Sequence, residues 1–203
     1  MKIFCVGRNY ADHAKELGNE IPDEPVIFMK PKSALLQSHT PFYYPEFTKY
    51  LHYECEIVVK ISKVGKNISE KFASNYYMEI GLGIDFTARD LQQKCKEKGL
   101  PWEIAKSFEN SAPISSEFIS KSLLDLSKTT FYLEKNGEKV QVGNTADFIF
   151  TIDQIIAYIS QFMTLKTGDL IFTGTPAGVG PVAIGDRLKG YLENQELFHF
   201  EIK

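Results

Sequence analysis

Short apolar segments separated by turns make up most of the hydrophobic pattern of this chain. The clearest segment, residues 53–61, alternates along its length and is rich in Ile and Val, which predicts a strand. Similar segments predict strands at residues 2–6, 26–29, 79–86 and 169–173, and two more between residues 186 and 202. Asn136 and Gly137 lie between apolar segments at 129–133 and 139–142, which predicts a tight β-hairpin.

Helical spacing of apolar residues, or a polar helix-forming composition, occurs in fewer places. It predicts helices at residues 10–17, 70–78, 89–98 and 150–162. Residues 40–50 and 111–127 carry the composition of irregular segments and short turns. Many short strands with a few irregularly placed helices predict an α+β fold that is mainly β, rather than a doubly wound parallel sheet.

Length and charge narrow the class of protein. A chain of 203 residues is long enough to bury one sizeable core, so we expect a single domain spanning residues 1–203. A net charge of -3 without a basic stripe argues against nucleic-acid binding. The sequence contains no apolar run long enough for a membrane span and no signal-peptide pattern, so the expected location is the cytoplasm.

Three acids form the strongest candidate site. Glu54 and Glu56 lie two residues apart on the best predicted strand, so their side chains project from the same face. Asp85 ends another predicted strand, next to small glycines. Carboxylates without His or Cys favour a hard cation such as Mg²⁺, Mn²⁺ or Ca²⁺. The alternative is an exposed strand face with solvated acids.

His13 and Glu16 form a second candidate pair. They lie three residues apart in the first predicted helix, close enough for a hydrogen bond on one face. Such a pair can orient and deprotonate a water molecule. A surface histidine beside an acid is the simpler interpretation.

Two further segments contain candidate ligands for an anionic substrate. Residues 169–180 form an apolar strand followed by a glycine-rich turn, whose N–H groups and Thr175 hydroxyl suit a carboxylate. A tight structural turn explains the same glycines. Lys106 follows an apolar segment, and its ammonium group either faces a pocket or extends to the surface.

Six segments together resemble the fumarylacetoacetate hydrolase family, above all its short acylpyruvase-type members that resemble oxaloacetate decarboxylases. These segments occur in order along nearly the whole chain: GRNYADHAKELG at 7–18, PVIFMKPKSAL at 25–35, HYECEIVV at 52–59, GIDFTARDLQ at 83–92, GLPWEIAKSFENSAPI at 99–114 and GDLIFTGTPAGVG at 168–180. The sequence departs from many relatives at residues 36–49, which are aromatic and contain prolines.

The resemblance implies a mixed β-sandwich or roll with a few short helices, usually assembled as a homodimer. It implies a Mg²⁺ or Mn²⁺ site at Glu54, Glu56 and Asp85, which Ca²⁺ can occupy in a crystal. It also implies a catalytic pair, His13 and Glu16, on a mobile lid. The positions that match the substrate-contacting residues of the family are Lys106, Gln92, Arg8 and Thr175.

The activity implied by the resemblance is hydrolysis of a C–C bond in a small acylpyruvate, a 2-oxo acid. In this reaction Glu16, oriented by His13, activates a water, and Lys106 stabilises the departing enolate. Decarboxylation of oxaloacetate, isomerisation of a hydroxy-dienedioate and tautomerisation of oxaloacetate use the same site and stay open as alternatives. The His–Glu pair favours hydrolysis, since tautomerisation does not need an activated water. A non-catalytic metal or anion-binding module is the remaining alternative.

Overall fold

The structure of the protein is a computed structural model that describes residues 1–16, 18, 20–37 and 39–203. Most of its regular elements are strands, as the turn-rich apolar pattern predicted. In chain order the strands are β1 Ile3–Val6, β2 Ile27–Lys30, β3 Leu35–Gln37, β4 Leu51–Tyr53, β5 Cys55–Ile61, β6 Tyr77–Ile84, β7 Thr87–Ala88, β8 Ala112–Ile114, β9 Ile119–Ser120, β10 Thr130–Lys135, β11 Glu138–Asn144, β12 Leu170–Phe172, β13 Gly180–Pro181, β14 Arg187–Leu192 and β15 Gln195–Glu201.

A mixed sheet forms the centre of the fold. Its strand order is β2-β1-β12-β5-β6-β8-β3, and β9 pairs with β6 outside this path. β1 pairs with β12 and β3 pairs with β8 in parallel, whereas the other pairs are antiparallel. The long antiparallel pair of β5 and β6 brings the residues at the start of β5 close to those at the end of β6.

The described residues form two smaller sheets as well. One contains β11, β10, β14 and β15, and the other contains β13, β4 and β7. The predicted hairpin joins β10 to β11, where Asn136 and Gly137 both have positive φ angles, 56° and 86°. This is the conformation that an Asn-Gly turn adopts most readily, so the hairpin prediction is confirmed.

Within the described part of the chain, five short α-helices accompany the sheets. They are α1 Ala11–Glu16, α2 Glu70–Ala73, α3 Arg89–Lys98, α4 Glu103–Lys106 and α5 Ile152–Phe162. α3 spans the predicted residues 89–98, and Gly99 ends it in the left-handed conformation. At the start of α5, Thr151 and Gln154 form a reciprocal capping box. The predicted first helix extended to residue 17, which lies outside the described residues.

Two segments differ from the sequence prediction. The helix predicted at 70–78 ends at Ala73 and continues only as a 3-10 turn, because Tyr77 begins β6 and buries its ring. The segment predicted as irregular at 111–127 contains β8 and β9. Tertiary pairing with β3 and β6 determines these short strands, and local sequence does not report such pairing.

The core surrounds the central sheet and α5. Three isoleucines of α5, Ile155, Ile156 and Ile159, are fully buried among strand residues of the main apolar cluster. Among the residues that the structure describes, the helices are all too short or too polar to span a membrane.

Candidate metal centre and active site

The fold brings the three predicted acids together. Glu54 lies between β4 and β5, Glu56 lies in β5, and Asp85 directly follows β6. The Asp85 N–H donates to the Glu54 carbonyl oxygen at 2.8 Å, which fixes the two backbones side by side. One oxygen from each carboxylate lies within 4.8 Å of the others, and all three side chains are buried. The alternative of a solvated strand face is therefore wrong.

Three cations surround two of these acids. The Lys106 ammonium donates to Glu54 Oε2 at 2.8 Å and to Asp85 Oδ2 at 2.7 Å. Lys30 Nζ lies 2.8 Å from Asp85 Oδ1, and Arg89 donates to Glu54 Oε1 at 2.6 Å. The predicted surface alternative for Lys106 is wrong, because this residue is only 3% exposed.

The charges of Glu54 and Lys106 stabilise each other. Burial disfavours ionisation of Glu54, but the Lys106 and Arg89 cations outweigh it and hold the Glu54 pKa well below its ordinary range. Burial likewise opposes the charge of Lys106, yet Asp85 and Glu54 raise the Lys106 pKa above its ordinary value. Both groups are therefore ionised at neutral pH.

Glu56 has a different environment. Its Oε2 accepts a hydrogen bond from the Gly174 N–H at 2.7 Å. Burial, together with the negative charges of Asp85 and Glu54, raises the Glu56 pKa well above its ordinary value. Glu56 is thus the acid whose ionisation most requires an additional positive charge.

The acidic centre fits a hard divalent cation. Its donor set consists of carboxylate oxygens alone, which is the preference of Mg²⁺ and Mn²⁺, and it is buried away from water. Burial and the repulsion of Asp85 and Glu54 raise the Glu56 pKa, and a bound cation would relieve that repulsion. Lys106 now supplies positive charge to two of the acids, so a cation bound there competes with Lys106 for the same oxygens.

The glycine-rich turn binds carboxylates of the protein itself. Gly174, with a φ of 99°, donates to Glu56, and a Cβ at this position would lie 2.7 Å from Asn9 Cβ. Gly178, with a φ of 96°, donates to Glu16 Oε1 at 3.1 Å. The turn therefore holds a metal-centre acid and the acid of the predicted catalytic pair at the same time.

The hydroxyl of Thr175 is part of the same scaffold. It donates to the Cys55 carbonyl oxygen at 2.9 Å and accepts from Gln141 Nε2 at 2.9 Å. Gln141 Oε1 in turn accepts from the Cys55 N–H at 2.9 Å. These bonds attach β11 and the glycine turn to the backbone between Glu54 and Glu56, and the substrate-binding role of Thr175 stays a prediction.

His13 and Glu16 form the predicted pair in α1. His13 Nδ1 lies 3.0 Å from Glu16 Oε2. The imidazole is 3% exposed and lines a small cavity beside the acids, whereas the Glu16 carboxylate lies outside that cavity and remains partly exposed. The surface interpretation of His13 is therefore wrong. That this segment is a mobile lid stays a prediction.

The cavity brings together most of the predicted site residues. It contains about 20 Å³ of free volume, room for about one water molecule. Its lining residues are Gly7, Arg8, His13, Phe28, Glu54, Arg89, Gln92, Lys96, Trp102 and Lys106. Gln92 accepts from Arg89 Nη1 at 2.7 Å, so these two polar groups face the cavity as a hydrogen-bonded pair. Thr175 lies outside this lining.

The sequence analysis missed Lys30, Arg89 and Gln141 as site residues. Lys30 ends β2, is 1% exposed, and donates to Ser111 Oγ at 3.0 Å in addition to its ion pair with Asp85. The signal for Lys30 lay in the PVIFMKPKSAL segment, where a lysine follows four apolar residues. The signal for Arg89 was its position in the sequence, where a cationic side chain follows the candidate ligand Asp85 by four residues.

The raised Glu56 pKa predicts how metal-free stability depends on pH. A carboxyl group whose pKa is raised in the folded state makes the folded protein less stable as pH rises. The reason is that the unfolded chain releases this proton first, above the ordinary pKa of 4.5. His52, whose pKa is lowered by burial and Arg89 to about 4, acts in the opposite direction only below 6.5. Between about pH 6.5 and 8.5 the chelated protein is therefore expected to lose thermal stability.

The matched variant for this test is Glu56→Gln, which keeps the acceptor for Gly174 and removes the charge. Its melting temperature without metal is expected to be higher than that of the wild type at pH 8 and nearly flat from pH 6.5. Saturating Mg²⁺ is expected to flatten the wild-type curve as well. If the melting temperatures of the chelated wild type and of the variant changed with pH in parallel, the assignment of the pH dependence to Glu56 would be contradicted.

Comparison with known proteins places the chain in a protein family. The family profile described as fumarylacetoacetate (FAA) hydrolase C-terminal matches residues 2–203. The mitochondrial oxaloacetate tautomerase FAHD1 of Mus musculus is 42% identical over 201 residues, which cover 99% of this chain and 91% of that protein. The FAHD1 tautomerase of Arabidopsis thaliana is 42% identical over 202 residues, covering 100% of this chain and 91% of that protein.

A solved structure supports the same relationship. Fumarylpyruvate hydrolase from Pseudomonas aeruginosa, in complex with Mn²⁺ and pyruvate, matches with a TM-score of 0.92 and 36% identity, covering 100% of this chain and 89% of that one. The mainly β fold and its buried oxygen-ligand centre thus define a class of enzymes. The chain belongs to the fumarylacetoacetate hydrolase family, as its motifs predicted.

Proposed function

We propose that this protein is a Mg²⁺- or Mn²⁺-dependent enzyme that interconverts the keto and enol forms of oxaloacetate, a small 2-oxo acid. The observation that carries the proposal is the position of the His13 imidazole, which lines the same small cavity as Glu54 and Lys106. The relatives named oxaloacetate tautomerase, 42% identical over nearly the whole chain, favour this reaction over the hydrolysis that the sequence motifs placed first.

Glu54, Glu56 and Asp85 would hold the cation. When bound, it polarises the 2-oxo group of the substrate and lowers the cost of negative charge on that oxygen. Arg8, Gln92 and Arg89 line the cavity and offer donors for the substrate carboxylates. The Lys106 ammonium lines the same cavity and stabilises the developing negative charge.

The proton transfer is assigned to His13. A base removes a proton from C3 of the keto acid, the C–H electron pair forms the C2–C3 double bond, and the carbonyl pair moves to the C2 oxygen. Reprotonation of that oxygen gives the enol. His13 is the side chain of the pair that lines the cavity, while Glu16, 3.0 Å from Nδ1, orients the ring and stabilises its charged form.

Hydrolysis of an acylpyruvate is the second candidate function. The same pair would then deprotonate a water, which attacks the distal carbonyl, and cleavage releases a carboxylic acid and pyruvate. The observation that favours it is the similarity to a fumarylpyruvate hydrolase whose structure contains pyruvate. Both reactions place negative charge on the 2-oxo oxygen, and they differ in where the base acts.

The absorbance decay of enol-oxaloacetate tests the proposal directly. Protein with saturating Mg²⁺ or Mn²⁺ is expected to accelerate the decay well beyond the rate of the cation alone, and chelation is expected to remove the acceleration. Pyruvate release from acetylpyruvate is measured in parallel for the second function. Metal-saturated protein that accelerates neither reaction would contradict both and favour a non-catalytic binding module.

A further inference from the structure

We infer that an apolar cleft between β2 and the segment joining α3 to α4 is the binding subsite for the acyl chain of an acylpyruvate substrate, an inference that rests on the second proposed function of the adjacent centre. The cleft has a free volume of about 260 Å³. Its lining residues are Val26, Ile27, Phe28, Met29, Leu100, Pro101, Trp102, Glu103 and Ser107.

Two aromatic side chains connect this cleft to the catalytic cavity. Phe28 and Trp102 line both spaces, and their ring centroids are 6.2 Å apart. The Lys106 ammonium lies 5.0 Å from the Phe28 ring centroid, on the catalytic side. A substrate held beside Lys106 therefore reaches the cleft past these two rings, which are both partly exposed.

The two spaces differ in chemistry in the way that an acylpyruvate requires. The catalytic cavity is lined mostly by charged and polar groups, whose chemistry matches the oxo-acid end of the substrate. The cleft is larger, and Glu103 is the single charged residue in its lining, which suits an alkyl chain. Oxaloacetate, whose distal end is a carboxylate, has no use for the cleft.

The consequence is a dependence of the hydrolysis rate on chain length. From acetylpyruvate to hexanoylpyruvate, kcat/KM is expected to rise about fourfold for each methylene buried in the cleft. Leu100→Arg places a charge in the cleft and is expected to abolish the rise, so that its kcat/KM falls further below the wild-type value with each added methylene. Ile104→Arg is the matched control, since Ile104 is 56% exposed and lies outside the cleft lining.

The fluorescence of Trp102 decides the inference without any turnover. Trp102 is the only tryptophan of the chain, so its emission reports on the cleft. Stopped-flow titration of wild-type protein with the same acylpyruvates in Mg²⁺, read before product forms, is expected to give dissociation constants that fall about fourfold per methylene, with no such trend for Leu100→Arg. If the protein binds longer acylpyruvates more tightly but does not hydrolyse them, the result would reject the hydrolase function and leave the binding subsite standing.

Two results overturn the inference. One is an affinity series without chain-length dependence in the wild type, or one unaffected by Leu100→Arg. The other is a change of oligomeric state in Leu100→Arg but not in Ile104→Arg, measured by light scattering, which would assign the cleft to a second copy of the chain.

Discussion

His13→Gln is expected to lower kcat for oxaloacetate tautomerisation by about 10²–10⁴-fold, the usual contribution of a positioned base. The imidazole lines the catalytic cavity, and the replacement keeps a polar side chain of similar reach without a basic nitrogen. Hydrolysis of acetylpyruvate, if the protein catalyses it, is expected to fall by a similar factor. Steady-state assays with metal-saturated protein measure both effects.

Decarboxylation of oxaloacetate supplies the internal control for this variant. Loss of CO₂ leaves the electron pair on C3 without removal of a proton by a base, so this rate is expected to stay close to the wild-type value. Glu16→Gln completes the test, because a positioning role predicts a rate loss together with a displaced pH profile for kcat/KM. Near wild-type tautomerisation by His13→Gln with metal bound would place the base elsewhere.

Asp85→Asn is expected to weaken Mn²⁺ binding by at least about 100-fold, since even groups beyond the ligand shell change metal affinity 10–100-fold. The same change leaves the buried Lys30 ammonium without its carboxylate, 2.8 Å away, and is expected to destabilise the fold by about 3–5 kcal/mol. Titration calorimetry measures the first effect and thermal unfolding the second.

The control for Asp85→Asn is Asp125→Asn, an exposed acid that bonds to Ser127 away from the site. It is expected to bind Mn²⁺ like the wild type. Because Asp85→Asn also affects folding, Glu56→Gln provides an independent test of the metal site: it removes a ligand charge without leaving a buried lysine unpaired. Wild-type Mn²⁺ affinity in both site variants would contradict the assigned centre.

The acids of the candidate site were predictable because local sequence rules place them. The alternation predicted for residues 53–61 puts Glu54 and Glu56 on one face, and Asp85 directly follows a strand rich in apolar residues. Their convergence depends on the pairing of β5 with β6, which places Cys55 opposite Ile84. The single strand predicted at 53–61 is divided between two strands in the structure, since β4 ends at Tyr53 and β5 begins after Glu54.

The roles of Lys30 and Gln141 were beyond the sequence. Lys30 is 55 residues from Asp85 in the chain, and a lysine at a strand end usually extends to solvent. Only the folded sheet shows that its ammonium is buried between Asp85 and Ser111. Gln141 similarly acts from β11, where nothing in its neighbourhood indicates that its amide holds Cys55 and Thr175.

The pair in α1 also shows what local sequence predicts and what only the folded chain reveals. Helical spacing predicted that His13 and Glu16 are neighbours, and they are. Spacing does not say which of the two faces the substrate, since that depends on how α1 lies against the glycine turn. In the folded protein the Glu16 carboxylate accepts from the Gly178 N–H, outside the cavity, and the His13 imidazole lies at the cavity wall.

A crystal structure of the protein with Mn²⁺ and oxalate, a non-reacting mimic of the 2-oxo acid end, tests the central claim most directly. The account predicts an anomalous scattering peak for one Mn²⁺ bound by oxygens of Glu54, Glu56 and Asp85, with oxalate beside it and His13 facing the oxalate. A map in which Lys106 still bridges Glu54 and Asp85, with Mn²⁺ elsewhere or absent at saturating concentration, would contradict it.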